Sequence, residues 1–183
     1  MAEVRGKRAR SRKLIMHAAK GLFEEKGIRN VTFNDIAERA DMCRTTVFNH
    51  FATINELMIA LAEEEVKDIM DYCDDTKLHG KKLIMAMFDK LIEDTANYPA
   101  LTSTLTANSI INAQERKTIG RIEQLIIDNV GDMTPKEKEK KVVMLTGSYY
   151  GLVNHYFING NIFDPKNMKR QFGLMAKEIL KEE

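Results

Sequence analysis

Apolar side chains recur every three or four residues along the chain, and the runs break at Gly, Pro and small polar clusters, so the pattern predicts an all-α protein of about nine helices. From residue 11 to 26, Leu14, Ile15, Ala18, Ala19, Leu22 and Phe23 form one stripe, which Gly27 closes. Phe33, Ile36, Ala37 and Ala40 make a second short helix with Thr32 as its cap and Asp35 near its positive end. After a turn at residues 40–43, Val47, Phe48 and Phe51 carry the pattern into a third. Two helices this short cannot bury enough surface alone. They need the first helix as a support, around a core of Leu22, Phe23, Ile36, Val47 and Phe51, and the third helix then presents Arg44, Thr45, Thr46 and Asn49 outward. That is the layout of a DNA-reading helix-turn-helix.

Beyond Phe51 the pattern breaks over residues 52–55, and a long helix runs to about Cys73 with Leu57, Met58, Leu61, Val66, Ile69, Met70 and Cys73 inward. Its run Glu63-Glu64-Glu65 reads as a solvated face, with Glu63 spaced to pair with Lys67. Further helices are expected over 81–97, 100–112 and 115–130, followed by Thr134-Pro135-Lys136-Glu137, a capping box with proline at the first position. The helix it opens, with VVMLTGSYYGLVNHYFI, is too apolar for one wet side. At about 100° per residue, Gly147, Gly151, Asn154 and Ile158 fall on one side, with Leu145, Tyr149, Leu152 and Tyr156 opposite. A last helix after Asp164-Pro165 carries Met168, Phe172, Met175 and Ile179. The expected division is a DNA-binding domain over 1–53 and a larger helical ligand-binding and dimerisation domain over 54–183.

Charge sharpens this division. The net charge of +1 conceals eleven basic against six acidic residues in the first fifty, a balance of +5, and −4 over the rest. A phosphate backbone attracts the first part. Residues 1–13 hold Arg5, Lys7, Arg8, Arg10, Arg12 and Lys13 without an apolar pattern; they read as an arm, either a frayed terminus or a phosphate or minor-groove contact. No apolar run is long enough to span a membrane, and the first residues lack the pattern of a signal peptide, so a cytoplasmic protein is expected. Cys43 and Cys73 read as reduced thiols.

The stretch LIMHAAKGLFEEKGIRNVTFNDIAERADMCRTTVFNHFATINEL resembles the amino-terminal domain of the TetR family of transcriptional repressors. Matching positions are Ala18, Ala19, Leu22, Phe23, Gly27, Thr32, Ile36, Ala37, Phe48, His50, Phe51 and Leu57. Four positions depart from the family pattern. Asp41 stands where the turn usually has Gly, and Asp tolerates a left-handed backbone better than most residues. Cys43 replaces a usual Ser and removes a capping oxygen. Phe48 replaces a usual Tyr, losing a hydroxyl aimed at phosphate, and Ile54 replaces a common Lys. Phosphate binding then leans on the arm, His50 and Thr32. The resemblance implies DNA contacts from Arg5, Lys7, Arg8, Thr32, Arg44, Thr45, Thr46, Phe48, Asn49 and His50, a homodimer on a palindromic double-stranded DNA operator, and release by a small-molecule inducer.

Enzyme chemistry finds little footing. The histidines His17, His50, His79 and His155 are scattered, with no HExxH, no Glu-x-x-His and no Gly-rich phosphate loop, so neither a metal nor another cofactor is expected. Residues 100–112 mix apolar with uncharged polar groups, as either a cavity wall or an ordinary polar surface does. Eleven methionines serve as core filler or as the lining of an adaptable cavity. A ligand pocket is expected among Phe88, Leu101, Leu105, Asn108, Ile122, Tyr149 and Tyr156, for an apolar or amphipathic molecule. The dimer interface is expected at Gly147, Gly151, Asn154, Ile158, Phe172, Met175 and Ile179, two apolar-rich helices from each copy forming a four-helix seam. Two other readings stay open: a TetR-like architectural or cell-cycle DNA-binding protein without an inducer, and a helical ligand-binding bundle.

Overall fold

Local signals in the chain set the helix ends. A computed structural model describes the backbone of residues 2–111 and 113–181, and the side chains of 6–107 and 120–181. Among these it has nine α-helices: α1 (Ala2–Lys26), α2 (Phe33–Arg39), α3 (Arg44–His50), α4 (Ile54–Asp75), α5 (Gly80–Asn97), α6 (Pro99–Ile111), α7 (Ala113–Asn129), α8 (Pro135–Ile158) and α9 (Pro165–Ile179), with one 3₁₀ turn at Ile28–Asn30. The chain divides into two compact units, residues 1–62 and 63–183.

In the first unit, Gly27 at φ 76° ends α1, and its N–H donates to the Phe23 carbonyl at 3.0 Å. The Thr32 hydroxyl accepts from the Asp35 N–H, and the Asp35 carboxylate accepts from the Thr32 N–H at 2.8 Å, a reciprocal box that satisfies two orphan donors of α2. Asp41 adopts φ 53°, as its place in the turn predicts, and lets α3 leave at an angle to α2. The expected core forms: Leu22, Phe23, Ile36, Val47 and Phe51 are all buried, joined by Ile15, Ala19, Leu57 and Leu61. Each of these side chains larger than Ala contributes about 1.5–3 kcal/mol by leaving water. Leu14, expected on this stripe, is instead 48% exposed. Two ion pairs, Lys26–Asp35 at 2.6 Å and Arg39–Glu25 at 2.5 Å, tie α2 to the end of α1 across the surface.

The expected arm is not an arm. α1 begins at Ala2 and carries the basic residues on a continuous helix of 25 residues. Lys, Arg and Ala are among the strongest helix formers, so a segment without an apolar stripe still extends the helix that Ile15 to Phe23 anchor.

In the second unit, the Thr134–Glu137 capping box opens α8 and the Asp164 carboxylate caps α9 through the Lys166 N–H at 3.1 Å. The core joins Val66, Ile69, Leu83, Met87, Phe88, Ile126, Leu145, Tyr149, Leu152, Met168 and Phe172. Phe88 and Phe172 lie 4.4 Å apart by ring centroids. On α4 the pair expected between Glu63 and Lys67 is replaced by Lys67–Asp71, because both carboxylates stand four residues away and the structure selects the one toward the carboxyl end. No helix among the described residues is long and apolar enough to cross a membrane, and the described residues hold no cluster of His, Cys, Asp and Glu fit for a metal ion.

Candidate nucleic-acid interface

Helix α3 has two turns and one buried residue, Val47; its outer face carries Arg44, Thr45, Phe48 and Asn49, all exposed. Thr46 and His50 are half-buried. Cys43 occupies the N-cap without a side-chain cap bond, and its sulfur lies 3.0 Å from the Thr46 hydroxyl. That hydroxyl, helped by nearby backbone N–H groups, holds the thiol below its ordinary pKa. Phe48 is 44% exposed. Phe33 of α2 meets it edge-on at 4.9 Å, and the Arg44 guanidinium stands 5.4 Å from its centre. Arg44 thus projects from an aromatic base and not from a bare helix.

Among the other expected contacts, Lys7 and Arg8 lie exposed on α1, while the Arg5 side chain lies outside the described residues. The Thr32 hydroxyl donates to Asp35 at 2.5 Å and is already engaged, so its N-terminal position offers a phosphate less than the sequence suggests. His50 is held below its ordinary pKa by burial, then by the charges of Arg8 and Arg12, which favours the neutral imidazole. That form offers one N–H and no charge. A continuous α1 about 10–12 Å wide with side chains is broader than a minor groove of about 6 Å, so only its long basic side chains, and not the helix itself, fit such a groove.

One residue that the sequence reading places in the basic arm makes a contact which that reading did not indicate. Arg12 donates from Nη1 to the His50 carbonyl at 3.2 Å, and its guanidinium lies 4.2 Å from the centre of the Phe51 ring. The signal was present: Arg12 stands three residues before Ile15 and seven before Ala19, on the buried stripe of α1, where a charge requires an acceptor.

In the second unit, Phe88, Leu101, Ile122, Tyr149 and Tyr156 of the expected pocket are buried and Leu105 is half-buried; the Asn108 side chain lies outside the described residues. Phe88 and Tyr149 come together at 6.0 Å, and the Tyr149 hydroxyl lies 2.7 Å from that of Thr95. Burial pushes the Tyr149 phenol far up in pKa. The Tyr156 hydroxyl accepts from Asn167 at 2.8 Å and Gln171 at 3.3 Å. Two surface hollows of about 430 and 440 Å³ lie elsewhere, one along α5 at Lys81, Met85 and Asp89, the other at Glu137, Lys141 and Glu178.

Gly147, Gly151, Asn154 and Ile158 line an exposed face of α8, extended by Val143, Met144 and Phe157. Phe172 and Ile179, read from sequence as interface residues, are instead taken up by the core of their own protomer, because the apolar stripe of α9 packs on α5 and α8. Met175 is half-buried, and Leu174, 59% exposed, is the outward apolar residue of α9.

A capped two-helix motif on a supporting helix, with an Arg-bearing second helix turned outward, defines a helix-turn-helix DNA-binding protein. Residues 15–61 match the bacterial regulatory proteins of the tetR family. An uncharacterized HTH-type transcriptional regulator of Bacillus subtilis (strain 168), YvdT, is 30% identical over 81 residues, 44% of this chain and 41% of that relative, so the match spans less than half the relative's length. Solved structures with the same fold include a transcriptional regulator from Rhodococcus sp. Rha1, at 15% identity and TM-score 0.77 over 92% of this chain and 95% of that one. Another is the transcriptional regulator FadR from Bacillus subtilis in complex with stearoyl-CoA, at 14% identity and TM-score 0.73 over 92% and 97%. Residues 15–61 thus carry the tetR-family DNA-binding segment, and the chain as a whole shares the fold of these solved regulators.

Proposed function

We propose that the protein is a dimeric repressor that occupies a palindromic operator and leaves it when a small apolar or amphipathic ligand binds. The observation that carries the DNA-reading part is the exposed face of α3, with Arg44 set over Phe48 and the basic residues of α1 in the same unit. Arg44, Thr45, Phe48 and Asn49 meet base edges in the major groove, and Lys7, Arg8 and the His50 N–H meet phosphates. Residues 1–53 act as the DNA-binding domain and 54–183 as the ligand-binding and dimerisation domain, in a cytoplasmic protein.

The exposed strip of Gly147, Gly151, Asn154 and Ile158 is the seam with a second copy, joined by Leu174 and Met175 from α9. A self-complementary strip of this kind suits a two-fold axis, and a two-fold protein suits a palindrome. Ligand binding among Phe88, Leu101, Leu105, Asn108, Ile122, Tyr149 and Tyr156 acts through α4, whose residues belong to both units. The stearoyl-CoA named with FadR is amphipathic in the sense intended here. A second reading, a DNA-binding protein without an inducer, draws on the burial of Phe88, Leu101, Tyr149 and Tyr156 and on the engaged Tyr149 and Tyr156 hydroxyls.

The test is selection of genomic fragments by the purified protein, followed by challenge of the complex with fatty acyl thioesters of graded chain length. A selected palindrome with release by one chain-length class supports the repressor; selection without release by any small molecule supports the second reading. Salt-dependent binding without sequence preference removes both.

A further inference from the structure

A helix of two turns holds few internal hydrogen bonds, so its direction is set largely at its ends. At the amino end of α3 the Cys43 side chain makes no cap bond. At the carboxyl end the carbonyls of the last turn have no partner within the helix. There the Arg12 guanidinium, half-buried, donates to the His50 carbonyl at 3.2 Å and lies 4.2 Å from the Phe51 ring centre. Phe51 is 1% exposed, its N–H donates to the Val47 carbonyl at 3.0 Å, and its backbone is extended, so α3 ends on this residue. The next helix starts immediately after: the Ala52 N–H donates to Glu56 at 2.8 Å and the Thr53 hydroxyl accepts from the Glu56 N–H at 3.1 Å. A single cation from α1 therefore sits at the joint between the reading helix and α4, favourably placed at the negative end of the α3 dipole.

We propose that Arg12 is a positioning residue of the DNA-reading surface: it clamps the carboxyl end of α3 and the Phe51 ring, and so sets where Arg44, Phe48 and Asn49 meet the bases. Its fork is engaged by a carbonyl and a ring, which separates it from Arg8, one turn earlier and exposed. Lys in its place keeps the charge and loses the planar fork that bonds the carbonyl while covering the ring. His50, which feels Arg8 and Arg12, follows the clamp.

The inference rests on the operator-binding reading, and the experiment separates the two. The full-length protein selects an operator duplex from a random-sequence library, and Arg12→Lys, Arg12→Gln and Arg8→Gln are titrated with that duplex and with a random duplex of equal length across a salt series. Arg12→Lys lowers the operator-to-random ratio about tenfold, the size of one impaired base contact, and leaves the salt slope at the wild-type value. Arg8→Gln lowers both affinities alike and flattens the slope by about one phosphate. If Arg12→Lys keeps the wild-type ratio while Arg12→Gln merely flattens the slope, Arg12 is an ordinary phosphate contact and the clamp is overturned. Amide hydrogen exchange on the free protein supplies a readout that needs no DNA: the Phe51 and His50 amides exchange about tenfold faster in Arg12→Lys if the clamp holds them, with local opening as the cause. Unchanged exchange overturns it. Should the wild type select no duplex, operator binding fails while the exchange measurement still decides the clamp.

Discussion

The Tyr149 hydroxyl donates to the Thr95 hydroxyl across 2.7 Å in the core of the larger unit. The direction follows from Thr95, whose own proton goes to the Leu91 carbonyl at 2.8 Å, which leaves its oxygen only an acceptor for Tyr149. Thr95 is 1% exposed. Thr95→Val keeps the shape and strands the buried phenol, which costs about 1–3 kcal/mol. Tyr149→Phe removes the donor and leaves Thr95 bonded to Leu91, at a cost of about 1 kcal/mol. Denaturant unfolding of the two single variants and the double variant checks this; Thr95→Val is the most destabilised, and adding Tyr149→Phe to it restores stability. A double variant worse than Thr95→Val shows that the phenol finds another partner.

Acid acts on the small unit through Asp35. The Lys26 ammonium, then the Thr32 hydroxyl and N–H, hold its carboxyl far below the ordinary 3.8. A folded-state pKa lowered in this way contributes stability that is complete above the ordinary value and is lost as pH falls below it. Asp35→Asn is accordingly less stable than wild type at neutral pH, and the gap between the two thermal midpoints narrows as the pH drops below 3.8. A gap that stays constant down to pH 2.5, about the limit of such scans, rules out the linkage.

On DNA, Arg44→Ala relaxes sequence preference by about 1–3 kcal/mol at one base position of each half-site, since it removes a bidentate donor and the cation over Phe48. Lys7→Ala or Arg8→Ala weakens binding to all sequences and reduces the salt slope by about 0.9 per lost phosphate contact. Titrations over a salt series distinguish them. Unchanged preference in Arg44→Ala moves the reading role to Thr45 or Asn49.

Assembly is tested at two glycines. An added Cβ at Gly147 or Gly151 meets nothing within 4 Å in the protomer. Replacing either with Ala therefore stabilises α8 by up to about 1 kcal/mol. The double change Gly147→Leu with Gly151→Leu keeps the protomer folded and shifts sedimentation from dimer to monomer, because the branched chains fill the space of close helix approach. Unchanged sedimentation places the seam elsewhere.

What the sequence showed, and what it hid, follows the range of each interaction. The Thr32–Asp35 and Thr134–Glu137 boxes and the left-handed Asp41 involve neighbours within three residues, and residue type alone announces them. Arg12 and the His50 carbonyl are 38 residues apart, and no spacing rule joins them. Phe172 and Ile179 illustrate a different limit. Their periodicity says that they are covered and not by what, and the structure gives them to their own protomer. The basic start of α1 was hidden by its lack of apolar stripe, which propensity and an anchored continuation make unnecessary.

That preformed α1 has a calorimetric consequence. A flexible basic tail that orders on DNA adds the heat-capacity change of a folding segment to the association. Here the basic residues already sit on a helix of 25 residues, so complex formation on a matched duplex registers only the surface the two partners cover. The entropy term is then dominated by released counterions.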